Sequence, residues 1–95
     1  MIAWDPIAPG EVLLSSINWT PRLAPGDSIT NSVWGPVTPS GLTVTPAATQ
    51  GFYTNIFVSG AVAANIGTIY TITNTITTAT GQTEVETATF ACAAK

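Results

Sequence analysis

The stretch GTIYTITNTITTATG, residues 67–81, decides the fold of this 95-residue chain. Its side chains alternate between two faces with a period of two over about four repeats, the pattern of a strand with one buried face. Nearly every residue in it is β-branched or aromatic and stiff at χ1, which disfavours a helix. The predicted buried face carries Tyr70, Ile72, Asn74 and Ile76, and the other face carries Ile69 and the threonine ladder Thr71, Thr73, Thr75 and Thr77.

The next segment, Gln82 to Ala93, is predicted to return as the partner strand of a hairpin, because the tripeptide Ala-Thr-Gly at 79–81 is a turn signal. Phe90 then shares a face with Cys92. Glu84 and Glu86 have the same parity as Phe90, which leaves two alternatives. Either the two carboxylates lie beyond the edge of the core, or a bulge near position 87 reverses the alternation.

Working outward from this hairpin, short alternating segments recur between clusters of proline and glycine. The turn Ala24-Pro25-Gly26-Asp27 suits type II geometry. The segment 60–65 is predicted to be one turn of helix or an extended loop, and 35–40 and 46–51 to be loops. The strands are predicted at Glu11–Thr20, Asp27–Trp34, Leu42–Thr45 and Phe52–Ser59.

Turn signals every eight to twelve residues indicate an all-β domain, an immunoglobulin-like two-sheet sandwich of about seven short antiparallel strands. Two inward sets stay open: Trp34 is inward only if a bulge shifts its strand, and either Ile56 with Val58 or Phe57 alone faces the core. The remaining core candidates are Trp19, Tyr70, Ile72, Ile76 and Phe90.

The first ten residues are predicted to form an irregular N-terminal arm (1–10) ahead of the sandwich domain (11–95), because two prolines and a glycine oppose regular pairing. The arm is too apolar to hang in water. It either folds back on its own domain or docks on a neighbouring subunit, and both alternatives bury apolar side chains. The candidate partner-binding residues are Trp4, Ile7 and Pro9.

Charge is scarce: seven residues, 7% of the chain, are charged and the net charge is −3. Soluble domains usually carry about a quarter charged residues. A surface of Thr, Ser, Ala and Gln repels neighbours weakly, which favours a homo-oligomer over a monomer. Two basic residues form no phosphate-binding patch, so nucleic acid is not an expected partner. No apolar run has the length of a membrane span and no signal peptide is present, so we expect neither membrane association nor secretion.

No constellation for catalysis is visible, and we expect neither enzyme activity, nor a metal, nor a cofactor. The chain has no histidine, the commonest general base and metal ligand. Cys92 is expected to be a buried small hydrophobe rather than a nucleophile. The pair Glu84 and Glu86 is interpreted as a charged strand end rather than a glycosidase pair. A composite calcium site would need Asp5, Glu11 and Asp27, which are far apart in sequence.

The order of several short motifs carries a family resemblance. Glu11-Val12-Leu13 is followed by Ile17 and Trp19, then by Ser32-Val33-Trp34, and the chain closes with residues 67–83. In this pattern the chain resembles the small fibre–tail adaptor proteins of tailed bacteriophages over residue 5 to about residue 90. In the last strand Glu84, Glu86, Ala88, Phe90 and Cys92 stand where the family pattern has a more basic run.

The resemblance implies a non-enzymatic virion structural protein with an immunoglobulin-like sandwich. It would be present in many copies, as a homo-oligomer or ring at the tail or neck. Its partners would be other virion proteins (tail, neck, fibre or capsid subunits), and it would be made in the bacterial host cytoplasm. Two alternatives stay open: a capsid decoration protein with the same fold, and a host-surface glycan-binding module using Trp4 or an outward Trp34 as the sugar platform.

Overall fold

The computed structural model describes residues 2–95 and confirms an all-β fold of two sheets, in keeping with an immunoglobulin-like sandwich. One sheet has four strands in the order β1-β7-β6-β3, and the other has three in the order β2-β5-β4. None of the described residues belongs to a helix long and apolar enough to cross a membrane. The strands are β1 Ile2–Ala3, β2 Leu13–Asn18, β3 Ile29–Trp34, β4 Thr43–Gln50, β5 Tyr53–Ser59, β6 Ile69–Thr78 and β7 Thr83–Ala91.

The hairpin of β6 and β7 is confirmed as the centre of the four-stranded sheet. Its antiparallel register runs without a shift from the pair Ile69 and Ala91 to the pair Thr77 and Thr83. Residues on the predicted inner face of β6 are buried, and the threonines between them are half-buried. Because no bulge interrupts β7, the second alternative for its two glutamates is excluded, and both lie half-buried on the inner face opposite Ile76 and Asn74.

The core consists of two adjoining clusters between the sheets. The larger includes Ile56, Tyr70, Ile72 and Phe90 among its buried members. The buried members of the smaller are Ile17, Trp19 and Ile76. Trp34 packs against both clusters while remaining partly exposed. Of the six predicted core side chains, five are buried and Trp34 is half-buried at the boundary.

The open alternative for β3 is resolved by a register shift between Ile29 and Asn31, which changes the parity of the strand. Val33 is consequently 56% exposed, whereas Trp34 turns toward the core. The shift is a β-bulge of the kind that sequence periodicity cannot place by itself. In β5, Ile56 and Val58 are buried and Phe57 is 41% exposed, which selects the first of the two predicted sets.

The strand predicted at Leu42–Thr45 is too short and the loop predicted at 46–51 is wrong. β4 continues to Gln50, with an irregularity after Ala47. Pro46 sits inside this edge strand opposite Ile56. The Trp19 N–H donates to the Phe52 carbonyl, so alternate residues of β5, including Ile56, direct their backbone N–H and C=O groups toward β2. Pro46 lies opposite Ile56, and its nitrogen therefore points away from β5 toward solvent. Its missing N–H removes no hydrogen bond from the sheet.

The arm is more regular than predicted, because Ile2 and Ala3 pair with Ala88 and Thr89 in parallel. The pairing in the four-stranded sheet is therefore not antiparallel throughout. Prolines at positions 6 and 9 confine this pairing to two residues and one later bridge. Elsewhere, residues 63–65 form a single 3-10 turn, one of the two predicted options. The turn at 24–27 has its expected features: the Asp27 N–H bonds the Ala24 carbonyl at 3.0 Å and Gly26 has φ +79°.

Candidate interaction surfaces

The N-terminal arm is fastened along β7 by backbone hydrogen bonds. The Trp4 N–H donates to the Thr89 carbonyl at 2.9 Å, and the Ile7 N–H donates to the Ala91 carbonyl at 2.9 Å. The Ala93 N–H in turn donates to the Ile7 carbonyl at 3.0 Å. The arm thus folds back on its own domain, the first of the two predicted alternatives.

Trp4 connects the two sheets at this edge of the sandwich. Its indole Nε1 donates to the Ser16 carbonyl of β2 at 3.1 Å, on the far sheet. Its ring lies 6.0 Å from that of Trp34 and 5.8 Å from that of Phe90, between centroids. Tilted aromatic pairs at such separations add to the apolar burial. The indole therefore has a structural role in this chain besides any role toward a partner.

The three candidate partner-binding residues of the arm differ in what they can offer. Ile7 is 1% exposed and belongs to the core, so its side chain serves the fold. Trp4 and Pro9 keep part of their surface. Trp4 also lines a groove of about 370 Å³ with Asp5, Lys95 and residues 13–16 of β2. Binding of a partner by the arm stays a prediction. In it, Trp4 and Pro9 supply the contact surface of the arm.

The pair of glutamates on β7 is engaged by the guanidinium of Arg22. Its Nε lies 3.7 Å from Glu84 Oε1 and its Nη1 lies 3.6 Å from Glu86 Oε2. Nη2 donates to the Val85 carbonyl at 3.1 Å, and the guanidinium stands 5.2 Å from the centre of the Trp19 ring. The carboxylates thus fasten the segment after β2 to β7, an arrangement with no cleft between them.

The Asp27 side chain has a structural role that the sequence does not reveal, because the turn and strand patterns place only its backbone and its carboxylate is otherwise considered as a calcium ligand. Its Oδ1 accepts from the N–H groups of Ser28 (2.9 Å) and Thr80 (3.2 Å), and its Oδ2 accepts from the Thr80 hydroxyl at 2.8 Å. The side chain joins the start of β3 to the turn of the β6–β7 hairpin. Burial by itself would raise the pKa of Asp27, but the hydrogen bonds from Thr80, Ser28 and Thr78 outweigh it and lower the pKa.

This lowered pKa predicts acid sensitivity. A carboxyl whose pKa is lower folded than unfolded stabilises the fold above the unfolded value, ordinarily 3.8 for Asp27, and loses that contribution as pH falls through the folded value. We expect the free energy of unfolding to be level above about pH 5 and to decline below it. Urea titrations at a series of pH values should show a shallower decline for Asp27→Asn, with lower stability at pH 7.

The decline that persists in Asp27→Asn is assigned to Glu11. The pKa of Glu11 is lowered by the Ala8 N–H, which donates at 2.7 Å, and by Lys95 at 2.9 Å. Equal pH slopes in the wild-type protein and the Asp27→Asn variant would contradict the role given to Asp27. The double variant with Glu11→Gln should flatten the remaining acid limb.

The other predicted chemical groups are placed apart. Cys92 is 1% exposed within the core. Across residues 2–95, no three His, Cys, Asp or Glu side chains are grouped so that they could hold a metal ion. Asp27 and Glu11 are occupied in the separate interactions given above, at different places in the chain. The structure therefore does not bring together the composite site that Asp5, Glu11 and Asp27 would have formed.

The fold and its surfaces define a small two-layer β-sandwich module. Its described polar side chains are used to fasten loops and an arm to the sheets. A comparison with family models gives the particular family: the model described as podophage GP4 fiber-tail adaptor protein gp77 matches residues 8–91. The chain belongs to this family of phage fibre–tail adaptors, with a structural role in the phage tail and a place in the virion. Searches of curated proteins and of solved structures gave no significant match.

Proposed function

We propose that this protein is a non-enzymatic adaptor, present in many copies, that links fibres or other tail components to the phage particle. The single observation that supports it best is the family match over residues 8–91, which covers nearly the whole sandwich. The scarcity of charged residues is a second support. Charges are few, and several are engaged within the chain, so much of the surface can be covered by other subunits at little desolvation cost.

Within this function we assign the arm to contact with a neighbouring virion component. Trp4 and Pro9 retain exposed surface at one edge of the sandwich, and Trp4 lines a groove together with residues 13–16 of β2. Partly exposed tryptophans are typical interface anchors, because they combine a large apolar area with a polar N–H. Asp5 in the same groove gives this edge an acidic group for a basic residue of the partner.

The test is the composition of purified virions. We expect the polypeptide in wild-type particles at a copy number well above one, measured by quantitative mass spectrometry against the major capsid protein. Phage lacking the gene should yield particles without fibres, and supplying the wild-type chain should restore them. Absence of the polypeptide from virions would end the proposal. Release by mild extraction while fibres stay attached would instead indicate capsid decoration and would overturn the adaptor role.

The arm is tested by supplying the variants Trp4→Ala and Pro9→Lys to the gene-deficient phage. Both should reduce incorporation of fibres, whereas Val85→Lys, on the outer face of the four-stranded sheet and 49% exposed, should not. Circular dichroism of each purified variant checks that it folds. Normal fibre content with folded Trp4→Ala and Pro9→Lys chains would remove the arm from the interface.

A further inference from the structure

The outer face of the three-stranded sheet carries large apolar side chains that the fold leaves uncovered. We name this the aromatic face, defined by Val12, Leu14, Tyr53 and Phe57. Their exposed fractions are 66%, 57%, 48% and 41%. The solvent face of an antiparallel sheet is ordinarily polar, so a row of such residues requires an explanation.

The register brings two of these side chains, Leu14 and Phe57, together. Leu14 of β2 lies directly opposite Phe57 of β5, and Asn18 lies opposite Tyr53. Direct partners on one face of an antiparallel pair have Cβ atoms about 5 Å apart. Leu14 and Phe57 therefore form one continuous apolar ridge across two strands. Thr45 of β4 extends the same row on the other side of Phe57.

Two polar side chains in the middle of the face, Ser16 and Asn55, are hydrogen-bonded within the sheet. The Ser16 hydroxyl donates to Asn55 Oδ1 at 2.5 Å, and Asn55 Nδ2 donates to the Ala48 carbonyl at 2.9 Å. Asn55 is 7% exposed although it lies on the outer side of the sheet. This bridge ties all three strands together and makes the face a fixed platform.

The face also carries no charge. None of the residues of β2, β4 or β5 is charged, although the chain as a whole has a net charge of −3. A twofold contact places a surface against itself, so any charged group near the axis would meet its own like charge. A neutral apolar face avoids this repulsion, which makes it suited to a second copy of the same chain.

The size of the sheet sets what such a contact can bury. Three strands of 6, 8 and 7 residues cover roughly 15 by 25 Å. A stable interface takes roughly 800 Å² from each partner, so the loops that flank the sheet belong to the contact as well. The opposite, four-stranded sheet is a weaker candidate, because its exposed apolar residues, Val33, Ile69 and Val85, stand among threonines.

We propose that two copies of this chain associate through their aromatic faces, stacking the three-stranded sheets across a twofold axis. Leu14 and Phe57 form the centre of the contact, and Val12 and Tyr53 flank it. Two sheets packed face to face lie about 10 Å apart, close enough for these side chains to interdigitate. This dimer gives the proposed many-copy assembly a specific contact between subunits. The dimer depends on the proposed function only for its place in the virion.

Sedimentation equilibrium of the purified full chain provides the test. We expect a reversible species of twice 9.8 kDa that dissociates on dilution. Phe57→Lys and Leu14→Lys should each weaken the dimer at least about tenfold, the loss expected for a central interface residue. Val33→Lys, at an equally exposed position on the opposite face, should leave it unchanged. Circular dichroism and thermal unfolding establish that the variants remain folded.

A second measurement locates the contact independently of substitutions. Amide chemical-shift changes between dilute and concentrated wild-type protein should concentrate on β2 and β5. A monomer at all concentrations would overturn the proposal, as would a dimer dissociated by Val33→Lys but not by Phe57→Lys. So would a monomer whose aromatic face binds another virion protein. Any of these results would leave the virion test of the adaptor role standing, because that test measures incorporation and fibres.

Discussion

Replacing Trp19 by alanine is expected to destabilise the protein by about 3–5 kcal/mol, the usual cost of removing a buried tryptophan from a core. Trp19 has no exposed surface and joins Ile17 and Ile76 in the smaller core cluster. Small domains have roughly 5–15 kcal/mol of total stability, so much of it would be lost. A fall in melting temperature on the order of 15–30 °C should follow.

Two variants separate the contributions of the indole. Trp19→Phe keeps much of the apolar volume but removes the N–H, which donates to Thr54 Oγ1 at 3.0 Å and Asn74 Oδ1 at 3.2 Å. We expect it to cost about 1–3 kcal/mol, the penalty of a disrupted buried hydrogen bond. Trp34→Ala, at a half-buried position, is the matched control for tryptophan loss. A larger melting shift for Trp34→Ala than for Trp19→Ala would contradict the assignment of Trp19 to the centre of the fold.

Replacing Asn74 by leucine is expected to destabilise the protein by roughly 2–4 kcal/mol, even though leucine has a similar volume and is more apolar. Asn74 is fully buried on the inner face of β6 and uses its whole hydrogen-bonding capacity. Its Oδ1 accepts from Trp19 and from the Thr54 hydroxyl at 2.7 Å. Its Nδ2 donates to Ser32 Oγ at 2.9 Å and to the Val33 carbonyl at 3.1 Å.

The loss arises because leucine leaves the buried Thr54 hydroxyl without its acceptor and the Trp19 N–H with Thr54 Oγ1 as its one remaining acceptor. Urea denaturation of Asn74→Leu, Thr54→Val and the double variant forms a cycle. Its coupling energy should lie in the range of about 0.5–3 kcal/mol found for residues in one network. Thr75→Val, on the outer face of the same strand, is the control and should change stability by at most about 0.5 kcal/mol. A neutral or stabilising Asn74→Leu would show that the network contributes nothing net.

Local periodicity accounts for the parts of the fold that the sequence predicts well. The β6–β7 hairpin was predictable because alternation, β-branching and a glycine turn all indicate one structure in adjacent residues. Asn74 was correctly placed on the inner face by the same alternation. Its role was not predictable, because its partners Thr54 and Ser32 are 20 and 42 positions away in the chain.

Errors occurred where non-local pairing overrides a local signal. Pro46 indicated a loop, but an edge strand accommodates a proline whose nitrogen faces solvent. The prolines of the arm suggested irregular structure, yet β7 offered Ile2 and Ala3 a free edge for parallel pairing. The role of the Asp27 carboxylate is not predictable from the local sequence, because its partner Thr80 lies 53 positions away.

The surface features were the hardest to predict. The sequence alone leaves Phe57 open as a core residue and does not single out Leu14. Only the register of β2 against β5 shows that these two side chains are neighbours. The arm residues Trp4 and Pro9 were selected by composition, and the structure adds that Ile7 is committed to the core.

The proline in β4 also bears on how the protein avoids aggregation. Threonine-, valine- and isoleucine-rich strands with almost no charge are the kind of segments that form amyloid fibrils when their edges are open. Pro46 withdraws one N–H from the outer edge of β4 and so interrupts the template that a further strand would need. At the edge formed by β4, the proline therefore opposes the strand-to-strand addition by which fibrils grow.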